Sequence, residues 1–376
     1  MVVLADVAER YDVVVIGAGV IGASIVHRVA AQGATALVVD ADSRGGLGSR
    51  AAAGIAVPSV RLQADPLMRD FAAEGVRALA DDLRRIDPAG HLTVSCGILR
   101  LARNGAEAEA LASGPAAAKS IGEWMPAEAV AELEPGLDVS RVAGAFRAGG
   151  GLVVNPEGYV DQLLRAAEAA GAHLLLGCRA TLSPGGSSPL VVLQATPAGD
   201  ESIVAAGAVV VAAGAWSGEV TAAAGRAPVG PRRGQIMRLG EVPGVQLSHI
   251  ISGTLYLAPG VGGGLIVGAT EEDCGFEPGP TLAGVLLLSA HASRMVPAAR
   301  DARVDRIWHG YRAATPDGRP VIGWSAIPGV LVAAGHGGQG ILTAAVTAEA
   351  VTGLLNGQHT PWSVAFSSHP RPPEAR

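Results

Sequence analysis

The chain has 376 residues, with 28 Lys and Arg against 34 Asp and Glu and a formal net charge of −6. That balance, without a basic block, excludes nucleic acid as an expected partner. Hydrophobic residues make up 49% and charged ones 16%, a globular composition, and the length suffices for two domains sharing one interface.

The first predicted elements are an apolar strand, Val13 to Ile16, then Gly17-x-Gly19-x-x-Gly22, a helix with Val20 and Ile21 in its first turn, and an apolar strand ending in Asp40. Gly17 permits the tight turn, Gly19 lets backbone approach a pyrophosphate, and Gly22 lets the helix pack closely on the strand. The helix N-terminus presents free N–H groups to phosphates. Asp40 is placed to accept hydrogen bonds from a ribose hydroxyl. This order predicts a dinucleotide site without distinguishing NAD from FAD. The apolar run at 13–39 carries His27, Arg28 and Gln32, so it is not read as a membrane span. MVVLADVAER lacks the basic start and cleavage site of a signal peptide, and a cytoplasmic location is expected.

A Gly-rich loop, Ser43 to Gly54, comes next. At 65–86, apolar residues at Leu67, Phe71, Val76, Leu79 and Leu83 predict an amphipathic helix. HLTVSCGILRL at 91–101 reads as a β-hairpin region, and 105–137 as short helices broken by Gly and Pro. Residues 149–181 predict another βαβ-type return with a helix from about Pro156 to Ala170. VVVAAGAWSG at 209–218 predicts a strand ending in small residues, which suit a ligand lying against backbone. Between 228 and 275, GQIMRL, GTLYLAPG and GLIVGATEE read as antiparallel strands of a different layer. ATPDGRPVIG, GVLVAAGHGGQG and a helix at about 341–356 return to α/β patterning. Cys96, Cys178 and Cys274 form no CxxC pair and are expected as buried free thiols. The nine histidines show no HxxxH or HExxH spacing, so no metal is expected.

Taken together, GAGVIGAS (17–24), SRAAAGI (49–55), VVNPEGYVDQLLRAAEAAGA (153–172), VVAAGAWS (210–217), RRGQIMRL (232–239), YLAPGVGGGLIVGATEEDCGF (256–276), HGYRAATPDGRPVIG (309–323) and GHGGQGI (335–341) resemble one superfamily. It is that of the FAD-dependent D-amino acid, glycine and sarcosine oxidases, and the resemblance spans nearly the whole chain. It implies FAD rather than NAD. The implied fold is α/β + β, a Rossmann-type FAD-binding domain interleaved with a mostly antiparallel β-sheet substrate domain. The implied partition is 1–64, 150–225 and 318–376 for FAD, and 65–149 and 226–317 for substrate.

The resemblance also implies roles. Ser49, Arg50, Ala53 and Gly54 fall in the loop passing the pyrophosphate and flavin, Ala180 where backbone holds the adenine, and Gly214 and Trp216 near the adenosine half. Gly337, Gly338, Gln339, Gly340 and Ile341 lead into the last helix, whose first-turn N–H groups can face the anionic edge of a reduced flavin. Gly310 and Ala51 stand where relatives carry the linking Cys or His, which implies non-covalent FAD. Arg312 matches the arginine that pairs with a substrate carboxylate, a geometry a guanidinium serves with two parallel bonds. Tyr256 either helps hold the same carboxylate or is a half-buried strand tyrosine.

Two departures stand out. The F-R-N sequence of glycine-oxidase relatives is replaced by Gly337-Gly338-Gln339, and Arg50 either binds a phosphate or reaches the active site. His336, flanked by Gly, is expected to be structural. The implied function is oxidation of the amine carbon of a D-amino acid, glycine or N-substituted glycine by hydride transfer to flavin N5. The imine is hydrolysed, and O2 or another acceptor takes the electrons. The alternatives are oxidation and C–N cleavage of a larger secondary amine, or a flavin-binding subunit needing a partner.

Overall fold

The structure, a computed structural model, describes residues 7–58, 65–113, 122–183, 189–195, 201–222 and 227–367. Its strands form two sheets. The first is built on the parallel strands Val330–Ala334, Glu201–Val211, Arg10–Ile16, Ala36–Asp40 and His173–Leu176, in that order, with antiparallel Val321–Trp324 at one edge. Leu190–Ala195 and Cys178–Ser183 extend antiparallel from Glu201–Val211. Val14, Val15, Leu37, Val38, Val209 and Val210 are all fully buried, as continuous β-branched and aliphatic runs must be when both faces are covered.

The fingerprint helix Val20–Ala31, the helix Pro156–Ala169 and the last helix Gly340–Leu355 lie on one face, in a core with Val15, Val38, Val210 and Leu331. The long helix Pro66–Ile86 joins this core through Phe71, Leu79 and Leu83, so residues 65–86 pack on the nucleotide side of the molecule and not with the substrate domain expected for them. The reason is its apolar stripe, which matches Leu342 and Val346 of the last helix and the rings of Trp362 and Phe366. Asp65 caps that helix by accepting from Leu67 and Met68 N–H, an interaction worth about 1 kcal/mol, and also pairs with Arg319 at 2.9 Å.

The second sheet has the order Val304–Ala314, Gly230–Leu239, Leu265–Gly268, Tyr256–Pro259, His249–Ser252, Thr93–Ala102, Gly144–Val154, Ile55–Ala56, with Glu123–Pro126 beside Gly144–Val154. All its pairings are antiparallel except His249–Ser252 with Thr93–Ala102. The expected hairpin at 91–101 is instead one long strand. Gly97 marks a break in register between Cys96 and Ile98, where a Cβ would lie 2.7 Å from His249 and 2.8 Å from the Ala148 carbonyl. The expected βαβ return at 149–181 is also revised. Gly144–Val154 belongs to the second sheet, and the helix after it carries the chain across to the first.

Cys96 and Cys178 are buried, and burial pushes the Cys96 thiol up to about 11, whereas Cys274 is half-exposed. Among the described residues no helix is long and apolar enough to cross a membrane. Residues 184–188, after the strand Cys178–Ser183, lie outside the described residues.

Candidate active site

The fingerprint turn is dictated by crowding. Gly17 has φ +107°, and a Cβ there would sit 2.4 Å from the Ala212 carbonyl; a Cβ on Gly22 would sit 1.8 Å from the Gly17 carbonyl. The turn therefore lies directly against the end of the Glu201–Val211 strand, which is why that strand finishes in Ala212-Ala213-Gly214. Asp40 knits this region together: its Oδ2 accepts from Ala18 N–H at 2.7 Å and Gly46 N–H at 3.1 Å, and its Oδ1 from Asp42 N–H at 2.9 Å. Oδ2 is thereby saturated, whereas Oδ1, with one donor, has capacity for a further one such as a ribose hydroxyl. The helix N-terminus is less open than its sequence implies, because Val20 N–H donates to Ser49 Oγ at 2.9 Å. A serine from the following loop thus caps a helix whose own N-cap, Gly19, has no side chain.

From this turn a single cavity of about 1350 Å³ runs between the two sheets to the N-terminus of the last helix. Every residue expected to contact cofactor or substrate lines it except Gly22 and Arg50. Gly22 acts by packing. Arg50 is turned the other way: its guanidinium pairs with Asp161 at 2.7 Å and donates to the carbonyls of Gly45 at 2.6 Å and Arg44 at 2.8 Å. It does not line the cavity, and these contacts fasten the loop to the helix Pro156–Ala169.

At the far end, Gly337 has φ +55° and donates to the Ala313 carbonyl at 2.8 Å, which seats the Gly-rich loop on the Val304–Ala314 strand. Gln339 caps the last helix without a side-chain bond, so no side chain of the N-cap occupies the first-turn N–H groups. His336 is buried, its Nε2 within 3.0 Å of Thr347 Oγ1, and burial pushes it down to about 3. It is a neutral structural residue, as its Gly-flanked position implies. Gly310 faces Ala51, a Cβ on it falling 2.5 Å from that of Ala51, and Trp308 Nε1 donates to the Ala51 carbonyl at 2.9 Å. These two positions, which the resemblance matches to flavin-linking residues, are adjacent here, and neither carries a Cys or His side chain.

The wall of the cavity that carries Arg312 and Tyr256 is built on the second sheet. Arg312 is half-buried, donates to the Thr270 carbonyl at 3.1 Å, and among the described residues pairs with no carboxylate. Gly234 on the neighbouring strand makes room for it, since a Cβ there would lie 2.6 Å from Arg312 Nη1. Tyr256 is likewise seated over a glycine: a Cβ on Gly268 would meet its hydroxyl at 2.4 Å. Burial pushes the Tyr256 phenol above its usual range, with the nearby Arg312 charge opposing. Ile98, Ile236, Ile250 and Leu255 supply an apolar wall. Sequence reasoning missed this wall and the two space-making glycines. The repeated Gly-Gln and Val-Gly ends of GQIMRL and LIVG were the signal available for the glycines.

The FAD dependent oxidoreductase (DAO) family profile matches residues 12–354, and the chain belongs to that family. The glycine oxidase of Geobacillus kaustophilus is 30% identical over 366 residues, covering 95% of this chain and 96% of that one. A crystal structure of glycine oxidase from that organism superposes with a TM-score of 0.88 at 28% identity, covering 97% of this chain and all of that one. The bifunctional protein ThiO/ThiG of Nostoc sp. is 30% identical over 351 residues, 92% of this chain but 52% of that protein, so the chain spans about half the length of that relative. A crystal structure of iminodiacetate oxidase from Chelativorans sp. superposes with a TM-score of 0.80 at 25% identity, covering 95% and 98% of the two chains.

The chain is thus a member of the FAD-dependent oxidoreductases, and its residues fit the cofactor. The cavity exceeds the roughly 300–1,000 Å³ usual for one small ligand. It begins at a dinucleotide turn and ends at an uncapped helix N-terminus.

Proposed function

We propose that this oxidoreductase oxidises the amine-bearing carbon of a small amino acid or N-substituted amino acid, giving an imine that water hydrolyses, with O2 as electron acceptor. The observation that carries this reading is Arg312, a guanidinium lining the cavity that donates to one carbonyl and has no carboxylate of its own among the described residues. Its free donors match a ligand carboxylate in a bidentate pair. Tyr256, beside it, adds a hydroxyl donor to the same carboxylate. The isoleucine wall excludes water around the carbon that reacts.

When bound, FAD supplies the two-electron acceptor for the hydride leaving that carbon. The chain's own contribution is orientation and charge. The turn at Gly17 to Gly22, Asp40, Ser49 and the backbone of Ala53, Gly54, Ala180, Gly214 and Trp216 would hold the dinucleotide. Gly337 to Ile341 would present the first-turn N–H groups of the last helix to the flavin edge that becomes negative, an effect of about 0.3–1 kcal/mol, more where buried. Attachment would be non-covalent, in keeping with Gly310 and Ala51. No side chain is needed as a base if the amine binds neutral, and His336, held neutral and turned to Thr347, is not one.

Anaerobic mixing of the yellow holoprotein with D-, L- and N-alkylated amino acids tests this reading. Bleaching of the flavin absorbance by at least one of them, followed by recovery on admitting air, is the expected result. A flavin that stays oxidised with the whole panel overturns it.

A further inference from the structure

The cavity face of the second sheet carries two guanidinium groups. Arg232 and Arg312 are register partners on the antiparallel strands Gly230–Leu239 and Val304–Ala314. Directly opposed residues send their side chains to the same side of a sheet, and like charges so placed repel unless something anionic lies between or beside them. Both side chains line the cavity. Arg312 leans along the sheet over Gly234, away from Arg232, and donates to a carbonyl. Arg232 pairs with Asp273 at 2.9 Å, in a contact where its own side chain is 37% exposed and that of Asp273 is 78% exposed. A pair that open is weak and readily exchanged for another carboxylate. Its neighbour Arg233 is different in kind: it points to the opposite face, is buried, and is engaged by Glu272 and the Glu277 carbonyl.

A substrate with one carboxylate uses Arg312 and leaves Arg232 idle. We propose that Arg232 is a second anion anchor, which makes the favoured substrate an amino dicarboxylate: an acidic amino acid, or a glycine whose nitrogen carries a second acid-bearing substituent. On binding, the second carboxylate takes the place of Asp273 on Arg232. Glu271, exposed and also lining the cavity, works against a second anion. The preference therefore depends on Arg232, and removing that charge reverses it. This inference rests on the amine-oxidising reading above.

The test compares kcat/KM for iminodiacetate against N-methylglycine, and for D-aspartate against D-alanine, in the wild type, Arg232→Gln and Arg232→Lys. In the wild type the better dicarboxylate exceeds its monocarboxylate counterpart by about 10- to 100-fold, the effect of one charge-assisted contact. Arg232→Gln lowers that ratio to one or below, and Arg232→Lys restores part of it. A wild-type ratio near one, or a ratio unmoved by Arg232→Gln, overturns the proposal while leaving amine oxidation standing.

A second measurement decides the case in which no amine bleaches the flavin. The holoprotein is titrated with malonate and succinate against acetate and propionate, and Kd is read from the perturbed flavin spectrum. Tighter binding of the dicarboxylates, lost in Arg232→Gln, supports the anchor; equal binding overturns it.

Discussion

Gly234→Ala separates the placement of the Arg312 guanidinium from its presence. The added Cβ would lie 2.6 Å from Nη1 and 2.9 Å from both Cζ and Nη2. Since carbon contacts settle near 3.5–4.0 Å, the guanidinium must retreat by roughly 1 Å. The obstructing atoms are the far end of a flexible side chain, so the retreat costs the fold little. It spoils the bidentate alignment instead. Losing one of two charge-assisted bonds, each worth roughly 1.5–3 kcal/mol, corresponds to about a 10- to 100-fold loss in kcat/KM. The assay is steady-state turnover of the best carboxylate-bearing amine, with Tm and the FAD-to-protein ratio as controls. The expected result is a fall of that size with FAD content unchanged and Tm nearly so. A kcat/KM within twofold of wild type would refute the carboxylate role of Arg312, because a displaced guanidinium could not hold a substrate equally well.

Three further outcomes are expected. Gly22→Ala places a Cβ 1.8 Å from the Gly17 carbonyl, a backbone atom that cannot swing away, and should cost about 3 kcal/mol along with FAD retention, read by denaturant unfolding and released-flavin fluorescence. Asp161→Asn removes the charge partner of buried Arg50 and should lower stability by about 1 kcal/mol while changing the FAD Kd less than about twofold; a large change in Kd would return Arg50 to the phosphate site. His291 and His336 are pushed down to about 4 and about 3 by burial, so the unfolded chain binds more protons than the folded one below its own value near 6.5. Their contribution is complete above that value and is lost as pH falls toward 4. His291→Leu should flatten the decline of Tm between pH 6.5 and 4, and an unchanged slope would contradict the burial argument.

The fingerprint was legible because each of its glycines answers a local demand: a left-handed turn at Gly17, a carbonyl under Gly22. The direction of Arg50 was not, since it is fixed by Asp161, 111 residues away. HLTVSCGILRL at 91–101 reads as a hairpin region because a glycine flanked by apolar residues has the same local signature in a hairpin as in an irregular strand. Only the contact with His249, brought in by the strand alongside, distinguishes the two.

Register sets the harder limit, and Arg232 and Arg233 show why. In sequence they are adjacent and chemically identical. Strand geometry sends them to opposite faces, and a slip of one residue would exchange their positions. An alternating apolar and polar pattern would normally reveal which face is which. Here Gln235 and Met237 are buried on one face and Gly234 and Ile236 on the other, so alternation carries no information. The pairing of Gly234 with Gly310 marks the register instead: a Cβ on Gly310 would lie 2.5 Å from that of Ala51, and one on Gly234 would displace the Arg312 guanidinium. The glycine that seats Arg312 thus shares its face with Arg232, the one of the two adjacent arginines that lines the cavity.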